Sequence, residues 1–178
     1  MRWTIDPVHS SIEFAILHMS ISKIRGRFRK LRGVIETSDD GVLQTINLMI
    51  EAGSIDTGDS RRDAHLISPD FLDAAQHPSL VFRSTKVDAL GNGRYRVGGT
   101  TTIRGRTRPM TIEVATTNPV TDAEGNRRAG ARAEGRLSRM DWGLTWNSPL
   151  PWGGLLVGDT VWFTIDVEAV AFATVAVA

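Results

Sequence analysis

The sequence predicts an all-β fold: an eight-stranded antiparallel up-and-down barrel with a short helical insertion between strands three and four. Three observations carry that expectation. Apolar and polar residues alternate with a period of two through most of the chain, the pattern of strands with one dry and one wet face. Turn signals such as Asp39-Asp40-Gly41 and Gly91-Asn92-Gly93 recur between the alternating segments. Eight strands in consecutive hairpins close without exposed edges, into a tube just wide enough to be filled by side chains or to hold one ligand.

The first strand has Ile12, Phe14 and Ile16 on one parity and Ser11 and Glu13 on the other. A long strand is expected over 24–37, with an apolar parity change between Phe28 and Leu31 that predicts a bulge or bend. The third, over 42–55, places Ile46, Leu48, Ile50 and Ala52 against Asn47 and Glu51. The segment 58–78 is too long and polar for a hairpin. It predicts one short helix over 59–66, capped by Thr57 or Asp59, and a second beginning at Ser68-Pro69. Strand four, over 79–90, carries Leu80 and Phe82; strand five, over 94–104, carries Tyr95, Val97 and Ile103. Strand six, over 107–117, turns Met110, Ile112 and Val114 inward.

The seventh strand is unusual. Its dry parity is Ala129, Ala131, Ala133, Gly135 and Leu137, and its wet parity holds Arg128, Arg132, Glu134 and Arg136. A dry face so nearly bare leaves empty space unless bulky neighbours or a bound molecule fill it. The stretch 140–159, with Trp142, Trp146 and Trp152, lacks alternation and reads as a lid near a barrel opening or as a plug in one end. The last strand, 160–171, sets Val161, Phe163, Ile165, Val167 and Ala169 against Trp162, Thr164, Asp166 and Glu168.

Composition narrows the function. A chain of 178 residues with no internal repeat or composition break is expected to form one domain over 1–178. Its 21 basic residues nearly balance 20 acidic ones, which argues against a nucleic-acid partner. Arg25, Arg27, Arg29, Lys30 and Arg32 cluster nonetheless, either as a solvated strand face or as a weak patch for anionic headgroups or phosphate. The absence of Cys excludes disulfides and thiolate metal sites. No run approaches the ~18 apolar residues of a membrane span, the apolar tail 169–178 included. The first residues, Met-Arg-Trp-Thr-Ile-Asp-Pro, do not form a secretory signal, so a cytoplasmic protein is expected.

Catalytic signatures are scarce. His9, His18, His65 and His77 match no metal-binding spacing, and His18 shares the inward parity of Phe14 and Ile16. Arg62, Asp63 and His65 form a compact polar group that reads as a salt bridge at the barrel rim or as an acid–base pair; Arg139 and Asp141 make a second such pair. No nucleophile elbow, phosphate loop or dinucleotide fingerprint is present, so no cofactor, metal or catalytic residue is expected.

The order of short motifs is more telling. It begins with Trp3-Thr-Ile-Asp6-Pro-Val-His9-Ser10-Ser-Ile-Glu-Phe14, followed by His18 and Gly26-Arg-Phe28. Ser54-Ile55-Asp56-Thr57-Gly58, Arg62-Asp63-Ala-His65-Leu66 and Asp70-Phe71-Leu72-Asp73 come next, then Pro78 and Phe82-Arg-Ser84. Thr102-Ile103-Arg104-Gly105 with Thr107, Arg139-Met-Asp141-Trp142-Gly143-Leu144 and Val157-Gly158-Asp159 complete the set. Together they resemble the YceI-like family of polyisoprenoid-binding, lipocalin-like proteins, from about residue 3 to about residue 170. The resemblance implies an elongated eight-stranded barrel holding a long lipid chain, a homodimer, and no established catalytic residues. Many members are periplasmic. The family often carries larger apolar residues at the positions of Thr101 and Ala131, so the pore here is expected to differ in width or shape.

On this reading the ligand is a polyisoprenoid, an isoprenoid quinone or a similar fatty lipid. The pore lining is assigned to Phe14, Ile46, Leu48, Ile50, Phe82, Val97, Ile103, Met110, Ile112, Val114, Ala131, Ala133, Phe163, Ile165 and Val167. Arg62, His65 and Arg139 are the candidates for meeting a head group. Two other readings stand beside it: an enzyme using His65 with Asp63 on a lipid-like substrate, and a structural dimer whose barrel is filled by its own side chains.

Overall fold

Pro7 interrupts the first stave of the barrel, and two further staves are broken in the same half. The computed structural model describes residues 1–171; the end of the apolar tail, 172–178, lies outside the described residues. In chain order the strands are β1 (Arg2–Ile5), β2 (Ser11–His18), β3 (Ser22–Phe28), β4 (Leu31–Thr37), β5 (Leu43–Glu51) and β6 (Ile55–Asp56). Helix α1 (Ser60–Ile67) follows. Then come β7 (Ser79–Gly91), β8 (Arg94–Ile103), β9 (Arg106–Thr116), β10 (Val120–Thr121), β11 (Arg127–Ser138) and β12 (Val157–Ala171). All belong to one antiparallel sheet. The ring runs β1-β4-β5-β7-β8-β9-β11-β12 and closes where β12 meets β1. The eight-stranded barrel is therefore closed.

Strand β12 shows how the broken staves work. Its C-terminal half pairs with β1, Ile5 opposite Ala169, while its N-terminal half pairs with β2, Phe163 opposite Phe14. Thus β1 and β2 are two halves of one stave, parted at Asp6-Pro7 because proline lacks the N–H a ladder needs. The expected single strand over 24–37 is likewise two, β3 and β4. Arg29 and Lys30 leave the ladder there, and their N–H groups donate to the carbonyl and hydroxyl oxygens of Ser54. That two-residue break is the physical cause of the parity change between Phe28 and Leu31. The segment expected as one strand over 42–55 splits too: a 3-10 turn, Ala52–Ser54, redirects the chain into β6, which follows β3 instead of β7.

The wedge between β6 and β7 is filled by residues 57–78. Asp59 caps α1 as expected, its Oδ1 accepting from the Arg61 and Arg62 N–H groups at 3.0 Å. The expected second helix does not form; residues 69–76 make turns, and Phe71 and Leu72 are buried beneath them. They pack with Ile55, Leu80, Ile103, Trp142 and Leu144 into a layer across this end of the barrel. The stretch 140–156 covers the same end, so α1 and the Trp-rich loop share one rim. The opposite end is closed around Trp3, Ala169 and Ala171.

A charged knot holds the break between β1 and β2. Asp6 Oδ2 lies 3.0 Å from His9 Nδ1 and 3.1 Å from Arg128 Nη1, and Arg128 also reaches Glu168 at 2.6 Å and Asp122 at 2.8 Å. Asp6, His9 and Glu168 are grouped closely enough to hold a cation, and the Arg128 guanidinium already supplies that charge. The hydrogen bond from His9, with those from Val8 N–H and Arg128, lowers the Asp6 pKa to about 2. The same Asp6 contact raises that of His9. Asp6 ionises more readily in the folded state, so its contribution is present above the ordinary carboxylate range and is lost as pH falls towards 2. His9 is protonated more readily when folded, so its contribution is full below the ordinary histidine pKa and is lost as pH rises past the folded one. Asp6→Asn is therefore expected to flatten both arms of a plot of urea midpoint against pH; wild-type slopes in the variant would contradict this.

Candidate functional site

The barrel is hollow. A cavity of about 400 Å³ runs inside it, and its wall is almost wholly apolar. Its sides come strand by strand from inward parities: Phe14 on β2, Ile46, Leu48 and Ile50 on β5, Phe82 on β7, and Ile103 on β8. Met110, Ile112 and Val114 follow on β9, Ala131 and Ala133 on β11, and Phe163, Ile165 and Val167 on β12. Val97 is the exception. It faces inward but is fully buried between Val87 and Ile112 on the neighbouring strands, in packed core beyond the cavity wall. Thr101 sits in the wall with its hydroxyl turned to the Met110 sulfur at 3.4 Å.

Small residues keep the lumen open in two ways. At Ala131 and Ala133 the missing side-chain volume is cavity: their opposites on β12, Val167 and Ile165, line it too. At Gly135 the gap is filled from within. A Cβ there would lie 2.5 Å from the Phe163 ring, and one at Gly26 would lie 2.4 Å from the Phe14 ring. Each phenylalanine is directly opposite its glycine on the adjacent strand. The rings therefore lie flat on bare backbone instead of projecting across the tube. Gly135→Val is expected to lift the Phe163 ring into the lumen, costing about 1–3 kcal/mol in folding and weakening uptake of an apolar fluorescent probe. Adding Phe163→Ala is expected to restore uptake. Equal probe binding by the single variant and wild type would show that the ring does not control the bore.

Several wall residues escape strand-by-strand assignment. Ile5 and Ile35 border the deep end, and Ile24 and Phe28 come from β3, whose inward parity also contains Gly26. Leu66, Phe71 and Leu72 reach in from the insertion, and Trp146 and Leu156 from the loop. Leu66 was detectable in principle, since Arg62, His65 and Leu66 share one helical face at i, i+3, i+4. Phe71 and Trp146 were not, because only the fold brings them over the barrel end.

The mouth lies among His18, Ile24, Arg62, His65, Trp146 and Leu156. His65 meets the edges of Phe71 and Trp146, with ring centroids at 5.1 and 4.6 Å. Its Nε2 lies 2.8 Å from Asp70. The expected partnership of His65 with Asp63 is absent: Asp63 Oδ1 accepts from the N–H and hydroxyl of Thr57 at 2.9 and 2.6 Å. Arg62 Nε donates to the same hydroxyl at 2.7 Å and its Nη2 to the Thr57 carbonyl at 3.0 Å. Asp63 thus anchors the helix, and the acid–base pairing has no geometric support.

Arg139 is also placed differently from expectation. It is 2 % exposed, and all its donors are engaged. Nε donates to Gly158 O at 2.8 Å; Nη1 to Trp146 O at 2.9 Å and, more closely, to Leu144 O; Nη2 to Val157 O at 3.3 Å and Asp159 Oδ1 at 3.2 Å. Burial pushes its pKa down, opposed by Asp159. Its acidic partner is Asp159 and not Asp141, whose carbonyl accepts from Arg108. With no free N–H, Arg139 pins the loop and offers nothing to a head group. Among the described residues no helix is long and apolar enough to cross a membrane.

A closed eight-stranded barrel with an apolar, one-mouthed interior defines a class of small binding proteins of lipocalin-like architecture. The family model for the YceI-like domain matches residues 3–169, and the chain belongs to that family. A UPF0312 protein of Vibrio campbellii is 35% identical over 134 residues, 75% of this chain and 71% of the relative. One of Yersinia pestis is 36% identical over 138 residues, 77% and 71%. Among solved structures, Burkholderia cenocepacia BcnA superposes with a TM-score of 0.77 at 20% identity, over 94% of this chain and 99% of that one. A polyisoprenoid binding domain from Saccharophagus degradans, implicated in plant cell wall breakdown, gives 0.70 at 17%, over 96% and 98%. At such identities these two likenesses speak for the fold.

Proposed function

We propose that the barrel takes up one long apolar chain, a polyisoprenoid, an isoprenoid quinone or a similar lipid, and stores, carries or sequesters it without chemical turnover. The supporting observation is the cavity: an apolar bore of about 400 Å³ whose polar groups gather at the mouth. On β12 the wall extends from Val157 to Val167. At ~3.3 Å per residue and a strand tilt of ~40°, that is a depth of about 25 Å. An all-trans hydrocarbon with ~1.52 Å bonds advances ~3.8 Å per three bonds, so single file admits about twenty bonds; a longer guest doubles back or protrudes. Burial of ~300 Å² of such a chain at ~25 cal/mol per Å² contributes about 7.5 kcal/mol before ordering costs. The Saccharophagus degradans domain of the same fold, a polyisoprenoid binding domain, supports the same ligand class.

Arg62 is the head-group residue on this reading, because its Nη1 has no hydrogen-bond partner among the described residues. The imidazole of His65, held by Asp70, borders the same opening. A homodimer, which the family resemblance implies, is part of the proposal and is read by sedimentation. Mass spectrometry of lipids co-purified under native conditions is expected to find one polyprenyl, quinone or fatty guest per chain. Purification free of lipid, together with no saturable binding of farnesol or a menaquinone, would overturn the reading.

A further inference from the structure

The large apolar residues that remain exposed are not evenly spread. Of the nine with substantial exposure among the described residues, Ile21, Ile67, Met140, Trp152 and Leu155 are at the mouth end. Three of them form its tip. Ile21 is 77% exposed in the turn between β2 and β3, held by its N–H to His18 O at 3.0 Å. Trp152 and Leu155 are 68% and 52% exposed in a small hairpin closed by pairing of Pro149 with Leu155. The two turns are joined, since Met19 N–H donates to Leu156 O at 2.8 Å. His18 and Leu156 line the cavity, whereas Ile21, Trp152 and Leu155 do not. The apolar tip thus begins where the cavity wall ends.

Behind the tip, the outer wall carries cations. Lys23 and Arg25 point outward from β3, and Arg136 from β11. The ladder Arg25–Ala15–Trp162–Arg136 sets Trp162 between the two arginines, with Lys23 Nζ 4.3 Å from its ring centroid. Lys23, Arg25 and Arg136 form no salt bridge among the described residues. Arg27 and Arg29, farther from the tip, are both paired with Asp56. The acids of this flank are Glu13, opposite Arg27, Glu134, paired with Arg132, and Asp159, held by Arg139. The acids of the α1 rim, Asp59, Asp63 and Asp70, cap the helix, bind Thr57 and hold His65. Asp73 in the insertion and Asp141 in the loop also form no salt bridge among the described residues; on the outer strand face beside Trp162 the unpaired charge is positive, from Lys23, Arg25 and Arg136.

An exposed tryptophan flanked by aliphatic side chains, with cations on the strands behind it, matches the layering of a lipid–water interface. We propose that the mouth end docks on an anionic phospholipid bilayer, Ile21, Trp152 and Leu155 entering the headgroup boundary and Lys23, Arg25 and Arg136 meeting the headgroups. Docked this way, the barrel opens directly onto the acyl region, and an apolar guest passes between membrane and cavity without crossing water. The docking goes beyond the binding reading and does not require a guest in the cavity.

Flotation of the full chain with phosphatidylcholine vesicles, with and without phosphatidylglycerol, tests it. Wild type is expected to float with the anionic vesicles and to be released by salt. Ile21→Ser/Trp152→Ser/Leu155→Ser is expected to weaken flotation by about tenfold or more, with an unchanged circular dichroism melt and unchanged farnesol binding. Lys23→Gln/Arg25→Gln is expected to lower affinity for anionic vesicles by about fivefold per charge. Wild type that does not float, or a triple variant that floats equally well, would overturn the docking while leaving the cavity reading intact. So would a triple variant that changes from dimer to monomer and floats as before, since a second copy would then be what covers the tip.

Discussion

Ala131→Trp is expected to leave the protein folded and empty it of its guest. The indole replaces a methyl on the inward face of β11, opposite Val167 and Thr116, and enters existing cavity instead of displacing packed atoms. Overpacking normally costs about 1–3 kcal/mol because neighbours must move; here the space is available, and the urea midpoint is expected to hold or rise. Ligand affinity is expected to behave oppositely. Each ~60 Å² of guest surface denied its place in the bore removes about 1.5 kcal/mol, roughly tenfold in Kd. Titration with a fluorescent polyprenyl analogue is expected to show a loss of tenfold or more, and Ala133→Phe a similar one from the next inward position. If both variants extract the same lipids as wild type with equal affinity, the guest does not lie along β11.

The second large effect is on stability. Arg139→Leu removes the five hydrogen bonds that tie the carbonyls of Leu144, Trp146, Val157 and Gly158 and the carboxylate of Asp159 together. The leucine fills part of the volume but satisfies none of these acceptors, and the expected cost is about 3–5 kcal/mol. Arg139→Lys keeps the charge without the planar fork and is expected to recover only part of this. Urea unfolding gives the cost. Hydrogen exchange gives its location, with protection lost first across the 140–157 loop. A variant within about 1 kcal/mol of wild type would mean that the loop holds its place through Trp142 and Leu144 packing alone.

The two predictions separate roles that the linear sequence merges. Arg62, His65 and Arg139 are all polar residues near a predicted opening, and nothing in spacing distinguishes a head-group contact from an anchor. Burial does: Arg139 is enclosed by the loop it holds, whereas Arg62 keeps one nitrogen free at the mouth. Similarly, Asp63 is closer in sequence to His65 than Asp70 is. Yet one turn of helix directs Asp63 back towards Thr57, and the chain beyond α1 brings Asp70 round to the imidazole.

Alternation alone located β2, β5, β7, β8, β9, β11 and β12 closely, because a barrel stave with one dry face must write that face into every second residue. It missed β1, where Arg2–Ile5 is too short to show a period, read β3 and β4 as one strand, and ran β5 on through the 3-10 turn into β6. Breaks are set by what satisfies the interrupted N–H groups. For Arg29 and Lys30 that is Ser54, more than twenty residues away.

The period-two pattern by itself thus determined that the chain is all-β, the consecutive hairpin turns favoured a closed tube, and the alanines of β11 determined that one wall would be thin. Only the tertiary structure decided whether thin meant hollow. A missing side chain leaves a void or invites a neighbour's ring according to which residue stands across the ladder. Gly135 faces Phe163 and is covered; Ala131 and Ala133 face Val167 and Ile165, too short to cross the bore, and the space between them stays open.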